Sequence, residues 1–249
     1  MTNPLLDRRA FLFGIGLTLE GCAARQSAPQ VGLWPFPGFA DAGRYGPMVD
    51  DGHSIPGLDL STIDPDLLRQ ETPFAGPYRP GTIVVSVPER RLYFVQAGGR
   101  ALRYAVGVGR SEALDFHGAA VIGRKAQWPR WAPTASMIAR MPQYAAYAGG
   151  MGGGIDNPLG ARALYLYRGN RDTDFRLHGT NEPETIGQAV SSGCIRLFNH
   201  DIIDLYNRAP VGSPVVVLQS DAEAGDYGDD GPPPTDALRD IGPERGPEY

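Results

Sequence analysis

Along the middle of the chain, apolar and polar positions alternate in short runs that are rich in β-branched and aromatic residues. Thr82-Ile83-Val84-Val85-Ser86-Val87 and Arg91-Leu92-Tyr93-Phe94-Val95-Gln96 flank the turn residues Pro88-Glu89-Arg90, which is a hairpin pattern. A strand over 101–108 extends the meander past Gly98-Gly99, and further strand candidates lie at 119–124, 163–168, 175–177 and 215–218. Helical periodicity is rare. Asn199 can cap a helix over 200–207 that puts Ile202, Ile203 and Tyr206 on one face and stops before Pro210. A short helix over 65–71 is predicted behind a cap at Asp64. Residues 128–157 fit neither period and end in the run Gly149-Gly150-Met151-Gly152-Gly153-Gly154. A connection of that length in a compact domain is a functional flap or is disordered. Its Trp131, Met137, Tyr144 and Tyr147 make it a candidate substrate lid. The pattern is that of a mainly β protein with a short helix and one long flap loop.

Composition supports that picture: 33 Gly and 23 Pro among 249 residues supply many turns, and 42% hydrophobic content is enough for one good-sized core. Four segments follow from the pattern. Residues 1–24 read as an export signal, because Arg8-Arg9 precedes the ten apolar-rich residues from Ala10 to Leu19. That stretch is half of the ~20 residues needed to cross a bilayer. The paired arginines before Phe11-Leu12 resemble a twin-arginine signal, and an ordinary signal that happens to hold two arginines is the alternative. Leu19-Glu20-Gly21-Cys22 has the outline of a lipobox spoiled by Glu20, so lipidation of Cys22, which would anchor the protein to the membrane, and plain cleavage near Ala23 both stay open. Residues 25–79, rich in Pro, Gly and Asp, form an N-terminal arm expected to pack loosely. Residues 80–219 hold the strands and form the main domain. Residues 220–249 carry nine acidic residues against two arginines and few apolar ones, so they are expected to be disordered.

Charge changes little else. Between residues 25 and 219 there are 19 basic and 17 acidic side chains, so nothing in that span argues for a nucleic-acid partner. The cysteine count is more informative. Only Cys194 lies outside the signal, so an intramolecular disulfide is impossible in the mature domain, and an unpaired thiol sent to an oxidising compartment is a candidate for reactivity.

The chemistry concentrates in Phe175-Arg176-Leu177-His178-Gly179-Thr180 and, further on, Val190-Ser191-Ser192-Gly193-Cys194-Ile195-Arg196-Leu197. His178 precedes Cys194 by sixteen residues, and each stands where a strand candidate meets a glycine. A thiol of pKa ~8.5 is mostly protonated at neutral pH, and an imidazole that takes its proton makes the nucleophile. Amide N–H groups around Gly193 and Cys194 can face a developing oxyanion. Arg196 lies on the same strand face and can hold a loop or a substrate carboxylate. From the residues alone, a buried inert cysteine beside a hydrogen-bonded histidine explains the same pattern about equally well. Neither a second domain cysteine nor a histidine at ligand spacing supports a zinc site.

These two motifs closely resemble the signature of the L,D-transpeptidase catalytic domain, also called the YkuD domain, in its Gram-negative periplasmic form. The similarity runs over roughly residues 80–219 and includes Asn157-Pro158-Leu159-Gly160 and Asn181-Glu182-Pro183. The resemblance implies a β-sandwich-like domain with Cys194 as nucleophile, His178 as base and the Gly179 carbonyl orienting the imidazole. Ser191, Ser192, Gly193 and Arg196 fill supporting positions, and Ser192 stands where many members carry a second histidine. Glu184 replaces a common aromatic residue, and the turn at Met151-Gly152-Gly153-Gly154 lacks the family's proline. The implied reaction transfers a peptidoglycan tetrapeptide stem through a thioester, without metal or cofactor. The implied acceptor is another stem, an envelope lipoprotein or outer-membrane protein, a free D-amino acid or water. A sortase-like transpeptidase shares the residue order with far longer His-to-Cys spacing, and a non-catalytic peptidoglycan-binding scaffold is the alternative from another class.

Overall fold

The computed structural model describes residues 43–109, 116–191 and 193–219. The export signal with Cys22, the arm before residue 43, Ser192 and the acidic tail lie outside the described residues.

Thirteen strands are described, among them β1 (Met48–Asp50), β2 (His53–Ile55), β3 (Gln70–Pro73), β4 (Ile83–Ser86), β5 (Arg91–Gln96), β6 (Arg100–Ala105) and β7 (Val108–Gly109). Then follow β8 (Gly118–Gln127), α1 (Ala135–Arg140), β9 (Arg162–Arg168), β10 (Arg171–His178), β11 (Ala189–Ser191), β12 (Ile195–Arg196), α2 (Asn199–Arg208) and β13 (Pro214–Leu218). Nine of the strands make one mixed sheet in the order β12-β10-β9-β8-β13-β4-β5-β6-β3. Its centre is parallel, with Val215 to Leu218 of β13 in register with Ile83 to Ser86 of β4. Both strands are buried along their whole length, which is why they read as continuous apolar runs rather than as alternation. On β8 the alternation survives, with Ala120 and Ile122 turned inward.

The sheet curls until its ends meet. Gly107, just after β6, exchanges two 2.9 Å backbone hydrogen bonds with Arg196 of β12. Tyr104 and Val106 from one end therefore share a core with Leu177 and Ile195 from the other, around Ile83, Leu92, Ile122 and Leu166. This is the mainly β, sandwich-like architecture expected, with the short helix α2 directly after the Cys motif. Ile202 and Leu205 of α2 close the core, and burying side chains of that size contributes roughly 1.5–3 kcal/mol each.

Two local expectations need correction. The helix predicted over 65–71 is a single 3-10 turn, Pro65–Leu67, under the Asp64 carboxylate; Gln70 and Glu71 instead begin β3, which pairs antiparallel with β6. Edge pairing outweighs helix propensity there. The described part of the arm, from residue 43, is not loose either. Tyr45 is 1% exposed and packs with Leu68, Ala105, Ile186 and Phe198. Its hydroxyl donates to Asp201 of α2 at 2.9 Å. The long 128–157 segment contains α1 and a 3-10 stretch, Pro142–Tyr147, and the latter is folded back on Trp131, which lies 5.6 Å from Tyr144 and 6.1 Å from Tyr147.

Candidate active site

Strand β10 ends at His178 and runs parallel to β12, with Leu177 level with Ile195 and His178 level with Arg196. Side chains in register share a sheet face, and so do positions two apart along a strand. Leu177 and Ile195 therefore point into the core, while Arg176, His178 and Arg196 are directed to the opposite face. Parallel pairing of the two short strands thus brings His178 level with Arg196, two residues past Cys194.

His178 is 4% exposed, and its Nδ1 lies 2.5 Å from the Gly179 carbonyl. A carbonyl only accepts, so Nδ1 carries the proton and Nε2 keeps its lone pair. Burial first, then the positive charges of Arg196 and Arg176, lower the imidazole pKa to about 3 against the opposing effect of the Gly179 carbonyl. The ring is neutral at physiological pH.

The Cys194 turn is built on Gly193, whose φ of +124° disfavours any other residue. Ser191 clamps it: its hydroxyl donates to the Cys194 carbonyl at 2.6 Å and accepts from the Gly193 N–H at 3.2 Å. The Gly193 amide is therefore occupied. Among the described residues the Cys194 amide has no acceptor, which makes it the better placed of the two amides suggested by sequence to meet an oxyanion. The Cys194 side chain is partly exposed, and its Sγ approaches the Asp174 carbonyl at 4.0 Å. Burial raises the thiol pKa; the Arg176 backbone N–H and the charges of Arg176 and Arg196 oppose that rise, and Asp174 adds to it. Thiol and imidazole are both neutral at rest.

Arg196 holds a loop. Its guanidinium donates to Glu182 at 2.7 Å and to the Thr185 hydroxyl at 3.5 Å, fixing the segment after His178-Gly179-Thr180. Asn199, expected to cap α2, does something else. The helix starts at Asn199 itself after Phe198, and the amide side chain turns inward, accepting from the Ala161 N–H at 3.0 Å and donating to the Thr180 carbonyl at 2.9 Å. A Cβ on Gly179 or Gly160 would run into its Oδ1. The Asn157 turn leads into the same junction, with Asn157 Oδ1 accepting from Leu159 N–H at 2.8 Å.

Sequence reasoning missed the bulge in β10. A four-residue step from Asp172 to Arg176 faces a two-residue step from Tyr167 to Tyr165, and Asp174 sits at φ +64°. The spacing of Asp172 and Arg176 was the available signal. Next to this bulge, Phe116, His117, Arg168, Arg171 and residues 172–175 line a cavity of 340 Å³. Of the three histidines assigned structural or surface places, His53 stacks on Trp128 at 4.1 Å, His200 meets the Gly46 carbonyl at 2.9 Å, and His117 lines the cavity.

Comparison with known proteins gives a consistent result. Residues 80–217 match the family model of the L,D-transpeptidase catalytic domain. The probable L,D-transpeptidase ErfK/SrfK of Salmonella typhimurium is 32% identical over 213 residues, covering 82% of this chain and 65% of that protein. A putative L,D-transpeptidase from the ATP synthase subunits region of Fuscovulum blasticum is 36% identical over 137 residues, or 55% of this chain and 68% of that protein. A solved structure from Brucella melitensis, described as a probable carnitine operon oxidoreductase, is 48% identical. It covers 64% of this chain and 99% of that one at a TM-score of 0.43. The chain thus spans about two thirds of the length of the curated relatives it matches first.

Proposed function

Since the chain belongs to the L,D-transpeptidase catalytic domain (YkuD) family, we propose that it is a peptidoglycan L,D-transpeptidase with Cys194 as nucleophile and His178 as base. The observation that carries this reading is the imidazole locked through Nδ1 to the Gly179 carbonyl, neutral, at the end of a strand whose parallel partner begins one residue after Cys194. The donor is a tetrapeptide stem. The sulfur turns from the Asp174 carbonyl, gives its proton to Nε2 of His178 and attacks the carbonyl of the third residue. The oxyanion meets the Cys194 amide. Collapse breaks the bond to the terminal D-alanine, whose leaving amine takes the proton back from His178, and a thioester remains. An acceptor amine, delivering its proton to His178, then displaces the thiolate. The acceptor is another stem, giving a 3-3 crosslink, or a lysine of an envelope protein.

An enzyme acting on the wall must leave the cytoplasm, and the paired arginines before an apolar stretch support export to the periplasm. Among the described residues no helix is long and apolar enough to cross a membrane.

Intact-mass spectrometry of the full mature chain with a carbapenem tests the reading. One covalent adduct is expected on the parent, none on Cys194→Ala, and a much slower one on His178→Ala. A folded parent that stays unmodified would overturn the enzyme reading in favour of a non-catalytic wall-binding scaffold.

A further inference from the structure

We propose that the Asp172–Arg176 bulge of β10 is a device that positions the Cys194 sulfur and steadies its thiolate, with Asp172 and Arg176 as positioning residues. The inference rests on Cys194 being the nucleophile, and it adds groups that neither the family signature nor the His–Cys pair contains.

The bulge is the element against which the sulfur lies. Sγ meets the Asp174 carbonyl at 4.0 Å, and Arg176 stands one residue before Leu177, which β10 pairs with Ile195, the residue after Cys194. A regular strand would turn one carbonyl or one N–H towards that point. The two additional residues let both be turned to the sulfur: the Asp174 carbonyl, which accepts from a thiol, and the Arg176 N–H, which donates to a thiolate. The bulge thus offers a partner to each protonation state. Such a backbone path puts a non-glycine residue, Asp174, at positive φ, a conformation that persists only where neighbours impose it.

Asp172 imposes it. One carboxylate oxygen accepts from the Asp174 N–H at 2.9 Å and from Arg176 Nη1 at 2.6 Å, while the other accepts from Arg176 Nη2 at 3.0 Å. Thr173 ties the tip to the neighbouring strand through the Leu166 carbonyl at 2.7 Å. The Arg176 guanidinium is held from behind by the Tyr165 ring, 4.3 Å from its centroid. A paired, stacked guanidinium is fixed in space, so its charge acts on the sulfur from a constant direction. The other charged groups facing the sulfur are Arg196 on β12, neutralised in part by Glu182, and the exposed Asp174 carboxylate, 3.9 Å from Arg176 Nη2.

The test is the pH profile of iodoacetamide alkylation of Cys194 in the full mature chain, with thermal melts on every variant. Arg176→Gln should slow alkylation near neutral pH by about tenfold and move the profile to higher pH, which corresponds to about one pKa unit. Arg176→Lys keeps a charge and should lie close to the parent. Asp172→Asn should shift the profile in the same direction as Arg176→Gln, because the guanidinium is released. Asp174→Asn, which tolerates positive φ and removes a negative charge, should shift it the opposite way. Opposite shifts are not produced by loss of fold. Should Asp172→Asn not fold, the Arg176→Gln and Asp174→Asn pair decides. Folded Arg176→Gln and Asp174→Asn variants with the parental profile, or with shifts in one common direction, would overturn the proposal. Alkylation does not depend on transpeptidation, so this outcome is distinct from failure of the carbapenem test.

Discussion

At the scale of single residues, a neutral thiol beside a neutral imidazole means that the thiolate is made during attack rather than stored as an ion pair. The cause is burial, which penalises the charged form of both groups and outweighs the nearby arginines at Cys194. With the His178 pKa down at about 3, the base is already unprotonated across the range in which an ordinary histidine titrates. Acylation by a carbapenem is therefore expected to show no acidic limb near pH 6.5 and to rise into the alkaline range with the thiol. A stopped-flow pH profile checks this, and a rate that halves around pH 6.5 would contradict it. His178→Gln should lower the rate by about 100-fold or more at neutral pH without moving the adduct to another residue.

Among the elements, α2 joins the site to the arm. Its first residue staples the Gly179-Thr180 and Gly160-Ala161 backbones, so Asn199→Ala leaves the buried Ala161 N–H and Thr180 carbonyl without partners. A loss of roughly 1–3 kcal/mol per orphaned group is expected in a denaturant melt, together with slower acylation because His178 shares that junction. Two residues further, Asp201 is fully buried under Tyr45, and burial raises its pKa to about 7 despite Arg69 and the Tyr45 hydroxyl. A carboxyl whose pKa is higher in the folded chain stabilises fully below its unfolded value near ~3.9 and loses that contribution as pH rises to about 7. Asp201→Asn should therefore gain melting temperature relative to the parent between pH 4.5 and pH 8. A variant that loses ground over that interval would show that the Arg69 interaction outweighs burial.

For the molecule as a whole, the described part of the arm, from residue 43, shares its packing with the curled sheet. β3 covers the β6 edge, and Tyr45 fills the cluster with Leu68, Ile186 and Phe198, so a chain beginning at residue 80 exposes both a sheet edge and apolar surface. Such a chain should lose at least about 3 kcal/mol, the cost of deleting one large buried side chain, and should self-associate. Equilibrium unfolding and light scattering measure the two effects; a truncated monomer as stable as the parent would show that the arm is only an appendage. Much of this was legible beforehand. Short runs of β-branched and aromatic residues between turns located β4, β5, β8, β9 and β13, alternating where one face is buried and continuous where both are. The His178 and Cys194 motifs were legible because glycines and polar residues interrupt apolar strands only where the backbone has other work. Three features were not legible. Gln70-Glu71 is a strand because β6 has an unpaired edge, Asn199 turns inward because two loops converge on it, and the β10 bulge exists only relative to β9. The sequence by itself determined the strands, the paired motifs and the chemistry their side chains can perform, since these depend on neighbours within a few residues. The curl of the sheet, the neutral state of His178 and Cys194, and the partners of the sulfur were decided by tertiary structure. Each depends on burial or on a hydrogen bond between distant segments, and neither exists until the chain is folded.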